Sequence, residues 1–267
     1  KIGLLDGEPY LRGSVSFDGI YSLIARLWQP DSILEIDEKN YLSFSPRLIR
    51  FGSSGLAGVW AEENTRESIY NAFRRKETFG TSGTRIKVRF FAGYNFENSN
   101  LNDQDLIQEA YSKNVPMGGD MIQEKGKNPR FLVWAISDPL GAPLQRLQII
   151  KGWLEDGEHK EKVFDVACSD GLSVDPITHR CPDNNAAVNL DDCSISTDKG
   201  NSEIKTFWKD PEFSQDQDSF YYSRVLENPT CRWSTWDAVR AGETPRSDIP
   251  LTIQERAWSS PIWYSYE

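Results

Sequence analysis

The pattern of apolar and polar positions changes character near residue 84. Ahead of it, the run Gly55-Leu-Ala-Gly-Val-Trp-Ala-Glu-Glu-Asn-Thr-Arg66 reads as a short apolar strand over 56–61 followed by a sharp helix start. Asn64 suits the N-cap, Glu67 stands where a capping box needs it, and Ile69, Tyr70 and Phe73 form the apolar stripe of one helix face. The helix should end near Lys76 or Glu77. Thr78-Phe-Gly-Thr-Ser-Gly-Thr-Arg85 then reads as a second strand ending in small hydroxyl residues. Strand, helix, strand is the βαβ grammar of an α/β enzyme.

From Arg85 the period falls to two. Ile86, Val88 and Phe90 alternate with Lys87 and Arg89, which predicts a half-buried strand. Strand-like runs recur at 131–136, 146–153, 162–167 and 220–226, with a short helix over 103–111 capped by Asn102. Asp138-Pro-Leu-Gly141 is turn chemistry and predicts a hairpin between the first two of those runs. Several strands with turn signals and little helix between them predict an antiparallel sandwich. Residues 1–54 carry recurrent Gly and Ser, an apolar patch at 20–28, and Pro30 and Pro46, and read as connecting structure.

Composition narrows the class. The nine Trp and thirteen Phe supply a globular core, and the net charge of −10 argues against nucleic acid, which needs clustered cations. The one dense basic run, Arg74-Arg75-Lys76, closes the last turn of the expected helix, where cations complement the dipole. No apolar run reaches the roughly 20 residues of a membrane span. The chain starts at Lys1 without a signal-like segment and reads as a processed form or a fragment. Cys168, Cys181, Cys193 and Cys231 all fall in the second half, without zinc-site spacing, and point to two disulfides in an exported, periplasmic or secreted protein. Two of them lie in a polar insertion at 169–201. Pairing Cys181 with Cys193 would close it locally, but three pairings are open. Its Asp183, Asn184, Asn185, Asp191 and Asp192 are oxygen-rich without the order of an EF-hand loop, and read as a solvated loop.

Candidate chemistry sits at the strand ends. Glu62 and Glu63 leave the first strand at the positive end of the helix, as general base or partner of a metal-bound water, or as plain helix-start acids. Thr81, Ser82 and Gly83 with Arg85 offer hydroxyls, a flexible backbone and a guanidinium for an anion, or an ordinary turn. His159 and His179 lie in polar loops, and neither a Gly-x-Ser-x-Gly elbow nor a His-Glu-x-x-His helix occurs. The Trp-rich surface, Trp233 and Trp236 above all, offers a carbohydrate or protein platform, whereas Trp134 and Trp153 read as core.

Long blocks carry a family resemblance. The two runs above, with Pro143-Leu-Gln-Arg-Leu-Gln-Ile-Ile-Lys-Gly-Trp153, Asn228-Pro-Thr-Cys-Arg-Trp-Ser-Thr-Trp236 and Gln254-Glu-Arg-Ala-Trp-Ser-Ser-Pro-Ile-Trp-Tyr264, resemble the C-terminal part of the bacterial domain-of-unknown-function family 3604. That family looks related to the polymerase-and-histidinol-phosphatase (PHP) metallohydrolases. The resemblance implies an α+β chain: the closing βα unit of a PHP-like α/β barrel over 1–84, an antiparallel β-sandwich-like domain over 85–240, and a tail over 241–267 that packs back on the body. It implies zinc, manganese or iron held by a preceding barrel segment, no cofactor in this chain, and no activity of the isolated chain. Glu62 or Glu63 and Arg85 would then lie nearest the site of an exported metal-dependent hydrolase, a phosphoesterase for instance. The other reading is a binding module.

Overall fold

The computed structural model describes residues 33–36, 38–42, 52, 55–96 and 99–266; the apolar patch at 20–28, Pro30 and Pro46 lie outside the described residues. In chain order the elements are β1 (Ile33–Ile36), β2 (Lys39–Leu42), β3 (Leu56–Val59), α1 (Arg66–Arg74), β4 (Thr78–Thr81), β5 (Lys87–Gly93), α2 (Leu106–Lys113), β6 (Val115–Pro116), β7 (Asp120–Ile122), β8 (Arg130–Ile136), β9 (Leu144–Glu155), β10 (Glu158–Cys168), β11 (Glu203–Trp208), β12 (Ser219–Cys231), α3 (Trp233–Ala241), β13 (Thr252–Ser259) and β14 (Ile262–Ser265).

Two sheets face each other. The long one runs β10-β9-β12-β13-β4-β3, with β14 beside β12 and β7 beside β14; the short one runs β11-β8-β5-β6. Every pairing is antiparallel except β14 with β7. Alternation makes the core. Val88, Phe90 and Ala92 of β5 and Phe131, Val133 and Ala135 of β8 face Leu144, Leu147 and Ile149 of β9, Tyr221 and Val225 of β12, and Ala257 of β13. The intervening residues Phe91 and Leu132 point the other way, where Leu106 and Ala110 of α2 cover them. The layers are therefore helix, short sheet, long sheet, and the far face of the long sheet lies opposite the core.

Several expectations need correction. Strands β3 and β4 are antiparallel neighbours, Leu56 opposite Thr81, so the βαβ reading becomes an antiparallel pair bridged by α1. Thr65, one residue after Asn64, is the N-cap of α1, its Oγ1 accepting from the Ser68 amide at 3.3 Å. Ala72 is the buried residue of α1, while Tyr70 is 60% and Phe73 52% exposed. The buried stripe is thus turned by about one residue, roughly 100° of helix, from the expected one. Asp105, not Asn102, precedes α2. The Asp138 turn forms, the Gly141 amide donating to the Asp138 carbonyl at 3.0 Å, but it carries the chain from the short sheet to the long one. The hairpin is β9–β10, turned through Asp156 (φ 52°) and Gly157 (φ 79°). Strands β3, β4 and β13, from segments that the sequence assigns to opposite ends of the chain, are neighbours in one sheet.

The four cysteines form two disulfides, Cys168–Cys181 and Cys193–Cys231. The local Cys181–Cys193 pairing is therefore corrected. Cys168–Cys181 folds the start of the insertion over the end of β10. Cys193–Cys231 ties its later part to the end of β12. No helix among the described residues is long and apolar enough to cross a membrane.

Candidate functional site

The far face of the long sheet should be solvated on simple alternation, and it is not. Leu147, Ile149, Tyr221, Val225 and Ala257 point to the core, so Gln148, Tyr222, Arg224, Arg256 and Trp258 point away from it. Yet Arg224 is 1% and Gln148 4% exposed. Arg224 Nε donates to Gln148 Oε1 at 2.5 Å, and Gln148 Nε2 donates to Asp165 Oδ1 at 2.6 Å. Asp165 also accepts from Arg146 Nη1 at 3.1 Å and from the Cys181 amide at 2.7 Å, and Arg180 lies 3.6 Å away. A carboxylate with no exposed side-chain surface is held by cations, an amide and a side-chain amide, which is what a buried charge requires.

Irregular strands build the next layer. Gln145 is an extra residue on β9 with no cross-strand partner in β12, and β12 itself slips register between Leu226 and Pro229. The slip lets Gln145 of β9 and Gln254 of β13 meet across β12, Gln254 Nε2 donating to Gln145 Oε1 at 2.9 Å. The same Gln145 oxygen accepts from Arg146 Nε at 3.0 Å and Nη2 at 2.7 Å. Arg256 Nε donates to the Gln254 carbonyl at 3.1 Å. These groups line a cavity of about 460 Å³ with Asp183, Ala186, Thr252 and the Cys181 region.

Glu227, displaced by the register slip, is fully buried, and neither carboxyl oxygen has a hydrogen-bond partner. It lies under the Asp138 turn, its Oε1 3.1 Å from where a Cβ on Gly141 would stand. Burial pushes its carboxyl up to about 8; the nearby Thr84 hydroxyl and Ala142 amide, outside good hydrogen-bond geometry, oppose the rise only weakly, and Glu255 and Asp138 add to it. Burial would raise Asp138 too, but the Leu140 and Arg85 amides outweigh it and hold that carboxyl low. At neutral pH Glu227 therefore keeps its proton.

The residues expected from sequence fall on both sides of this region. Glu62 and Glu63 are exposed in the connection before α1, the Glu63 amide donating to Ser68 Oγ at 3.1 Å. The Arg85 side chain is exposed, and its amide donates to Asp138 at 2.8 Å. Thr81 Oγ1 accepts from the Gly83 amide at 3.2 Å, and Ser82 donates to Glu255. An anion at that loop would meet Asp138, Glu227 and Glu255. Asn184 of the insertion is buried and bonds Gln145, Asp170 and Asn228, while Asp183 and Asp192 accept from amides two residues on. Among the described residues no three His, Cys, Asp or Glu side chains gather where they would hold a metal. His159 is exposed and His179 packs edge-on against Phe164 at 5.2 Å. Trp233 is 39% exposed and Trp236 half-buried, each with an arginine over its ring.

Sequence reasoning passed over Gln145, Arg146, Glu227, Gln254 and Arg256 as single residues, although all lie in or beside the resemblance-bearing blocks. The signal available was the break in alternation at Leu144-Gln145-Arg146-Leu147. No curated protein and no solved structure matches this chain. The family model described as "Protein of unknown function (DUF3604)" matches residues 28–266, and the chain belongs to that family.

Proposed function

We propose that this chain is the sandwich portion of an exported PHP-like metal-dependent hydrolase acting on esters, phosphate esters among them, and that it has no activity alone. The supporting observation is convergence. Blocks distant in sequence bring Arg146, Gln148, Arg224 and Arg256 to the far face of the long sheet, a polar wall suited to a neighbouring reaction centre. Zinc, manganese or iron would be held by the preceding barrel segment. Glu62 and Glu63 follow β3 and Arg85 follows β4, at opposite ends of that antiparallel pair, and each is exposed and a candidate for contact with a metal-bound water or a substrate. Two disulfides fit an oxidising compartment, periplasmic or extracellular.

The test is p-nitrophenyl phosphate hydrolysis with manganese or zinc, comparing a longer form that carries the barrel segment with this chain. Chelation should abolish turnover by the longer form, and this chain should show none. Equal rates from both, or turnover indifferent to chelation, would sink the reading.

One observation favours a binding module instead. Trp263 is 48% exposed and packs on Phe220 at 5.0 Å, with Tyr222 stacked at 6.4 Å beyond, an aromatic strip of the kind that carbohydrate or protein partners cover. Retention on immobilised polysaccharide that Trp263→Ala abolishes would support it; retention unchanged by the variant would remove it.

A further inference from the structure

We propose that β11, the free edge of the short sheet, takes up an extended peptide segment as an added antiparallel strand, with an acidic residue opposite Lys205, an apolar one opposite Phe207 and a basic one opposite Glu203. This inference stands apart from the hydrolase reading, because it needs neither a metal nor turnover.

The backbone carries the argument. β11 lies at the end of its sheet and pairs with β8 from Glu203 opposite Ile136 to Trp208 opposite Phe131, without a register shift. The Ser137 amide donates to the Ser202 carbonyl at 2.8 Å, so on the alternating antiparallel ladder Ser202, Ile204, Thr206 and Trp208 turn their backbone groups to β8. Glu203, Lys205 and Phe207 therefore turn theirs outward. The far side of the sheet agrees. This parity turns the backbone groups of Val133 to β11, and Phe90, opposite Val133 on β5, accordingly uses its carbonyl to accept from the Met117 amide at 2.8 Å. Among the described residues no backbone group bonds the outward amides and carbonyls of Glu203, Lys205 and Phe207. The Phe207 carbonyl accepts from Thr206 Oγ1 at 3.2 Å and keeps its second lone pair. Three donor and acceptor pairs thus stand at the two-residue spacing of a strand, roughly 7 Å apart.

This edge is open where the others are closed. β6 has two residues and β3 four, and on β10 the Asp165 amide already donates to the His179 carbonyl of the insertion at 2.9 Å. Beside β11 lies instead a trough of about 780 Å³. Asn100 and Leu101, from the connection before α2, line it on the helix side of the short sheet, and Gly171 of the insertion lines it on the side of the long sheet. Flanked in this way, the edge admits a single strand more readily than the edge of a second sandwich.

Side chains set which strand fits. Lys205 and Phe207 stand opposite Trp134 and Leu132. The Lys205 ammonium rests over the Trp134 ring at 4.8 Å, laid back on the sheet and clear of the edge, and makes no ion pair among the described residues. A carboxylate across from it supplies one, and a cation across from exposed Glu203 does the same with the sign reversed. Phe207, with Leu101 in the same apolar cluster, favours an apolar neighbour. The side chains therefore fix direction and register as well as composition.

The experiment is fluorescence anisotropy of a labelled Thr-Val-Thr-Glu-Thr-Lys-Thr peptide titrated with the disulfide-bonded chain at pH 7, which places Val, Glu and Lys opposite Phe207, Lys205 and Glu203. Saturable binding of one peptide per chain is expected. The same peptide N-methylated at Val, Glu and Lys should bind about tenfold or more weakly, as loss of three amide hydrogen bonds requires. Lys205→Pro removes the central outward donor and leaves the ladder to β8, which Ile204 and Thr206 supply, so it should weaken binding to a similar degree while the thermal melt stays close to the parent's. Lys205→Glu should prefer the peptide with Lys in place of its Glu. If Lys205→Pro does not fold, the N-methylated peptide on the parent chain decides. Absence of saturable binding overturns the proposal, and so does equal binding of the N-methylated peptide. A parent dimer in sedimentation that Lys205→Pro dissociates would give the edge to a second copy and overturn it too.

Discussion

A carboxyl buried without a partner survives in a folded chain by keeping its proton, and Glu227 is in that position. Its folded value of about 8 lies above the ordinary 4.5, so between those values the folded state holds a proton that the unfolded state has released. Stability therefore falls as pH rises through that window, by up to about 1.4 kcal/mol per unit, and this group adds no pH dependence below it. Glu227→Gln keeps the shape and cannot ionise. Urea midpoints measured from pH 5 to 9 should show the variant more stable than the parent at pH 8, the two converging toward pH 5. Parallel pH profiles would mean that Glu227 is paired in solution. Nothing local in Leu226-Glu-Asn-Pro229 announces this role. Parity with Tyr221 and Val225 puts the residue on the core side, but only the fold lays the Asp138 turn over it.

At the scale of elements, alternation made β5, β8, β9, β10 and β12 legible, because each buries one face on a core rich in Val, Ile, Leu and Phe. The turn at Asp138 was legible as a turn, since Asp138 Oδ1 accepts from the Leu140 amide at 3.0 Å, but local chemistry does not say which sheet the next strand joins. Disulfide pairing was illegible for the same reason, being set by where β10 and β12 end in space. The observed pairing does carry an energetic order. Cys193–Cys231 has a sequence separation of 38 and Cys168–Cys181 one of 13, so loop entropy assigns them about 4 and about 3 kcal/mol. Replacing Cys193 and Cys231 together by alanine should therefore cost about 1 kcal/mol more in chemical denaturation than replacing Cys168 and Cys181. The reverse order would show that native contacts outweigh loop closure, the Cys181 amide bond to Asp165 being the obvious one.

For the whole molecule, the decisive strand is near the C-terminus. β13 lies between β12 and β4 in the long sheet, so it joins β3 and β4 to the rest. The register of Ala257 with Thr81 and Ser259 with Phe79 shows how the C-terminal strand is joined to β4. It also explains why the cavity lined by Arg146 and Arg256 is not legible in the sequence: the two residues are 110 positions apart in numbering, and each looks like a solvent-facing residue until β12 brings their strands together. Ending the chain at residue 250 would remove Ala257, Ile262 and Tyr264, all at most 2% exposed, and leave β12 without its β13 and β14 partners. Buried large-to-small changes cost roughly 2–5 kcal/mol each, and a domain is stable by only about 5–15 kcal/mol. The truncated chain should therefore show no cooperative thermal transition and should bind a dye for exposed apolar surface. A sharp transition within a few degrees of the parent would mean that β13 and β14 are additions to a sandwich complete without them.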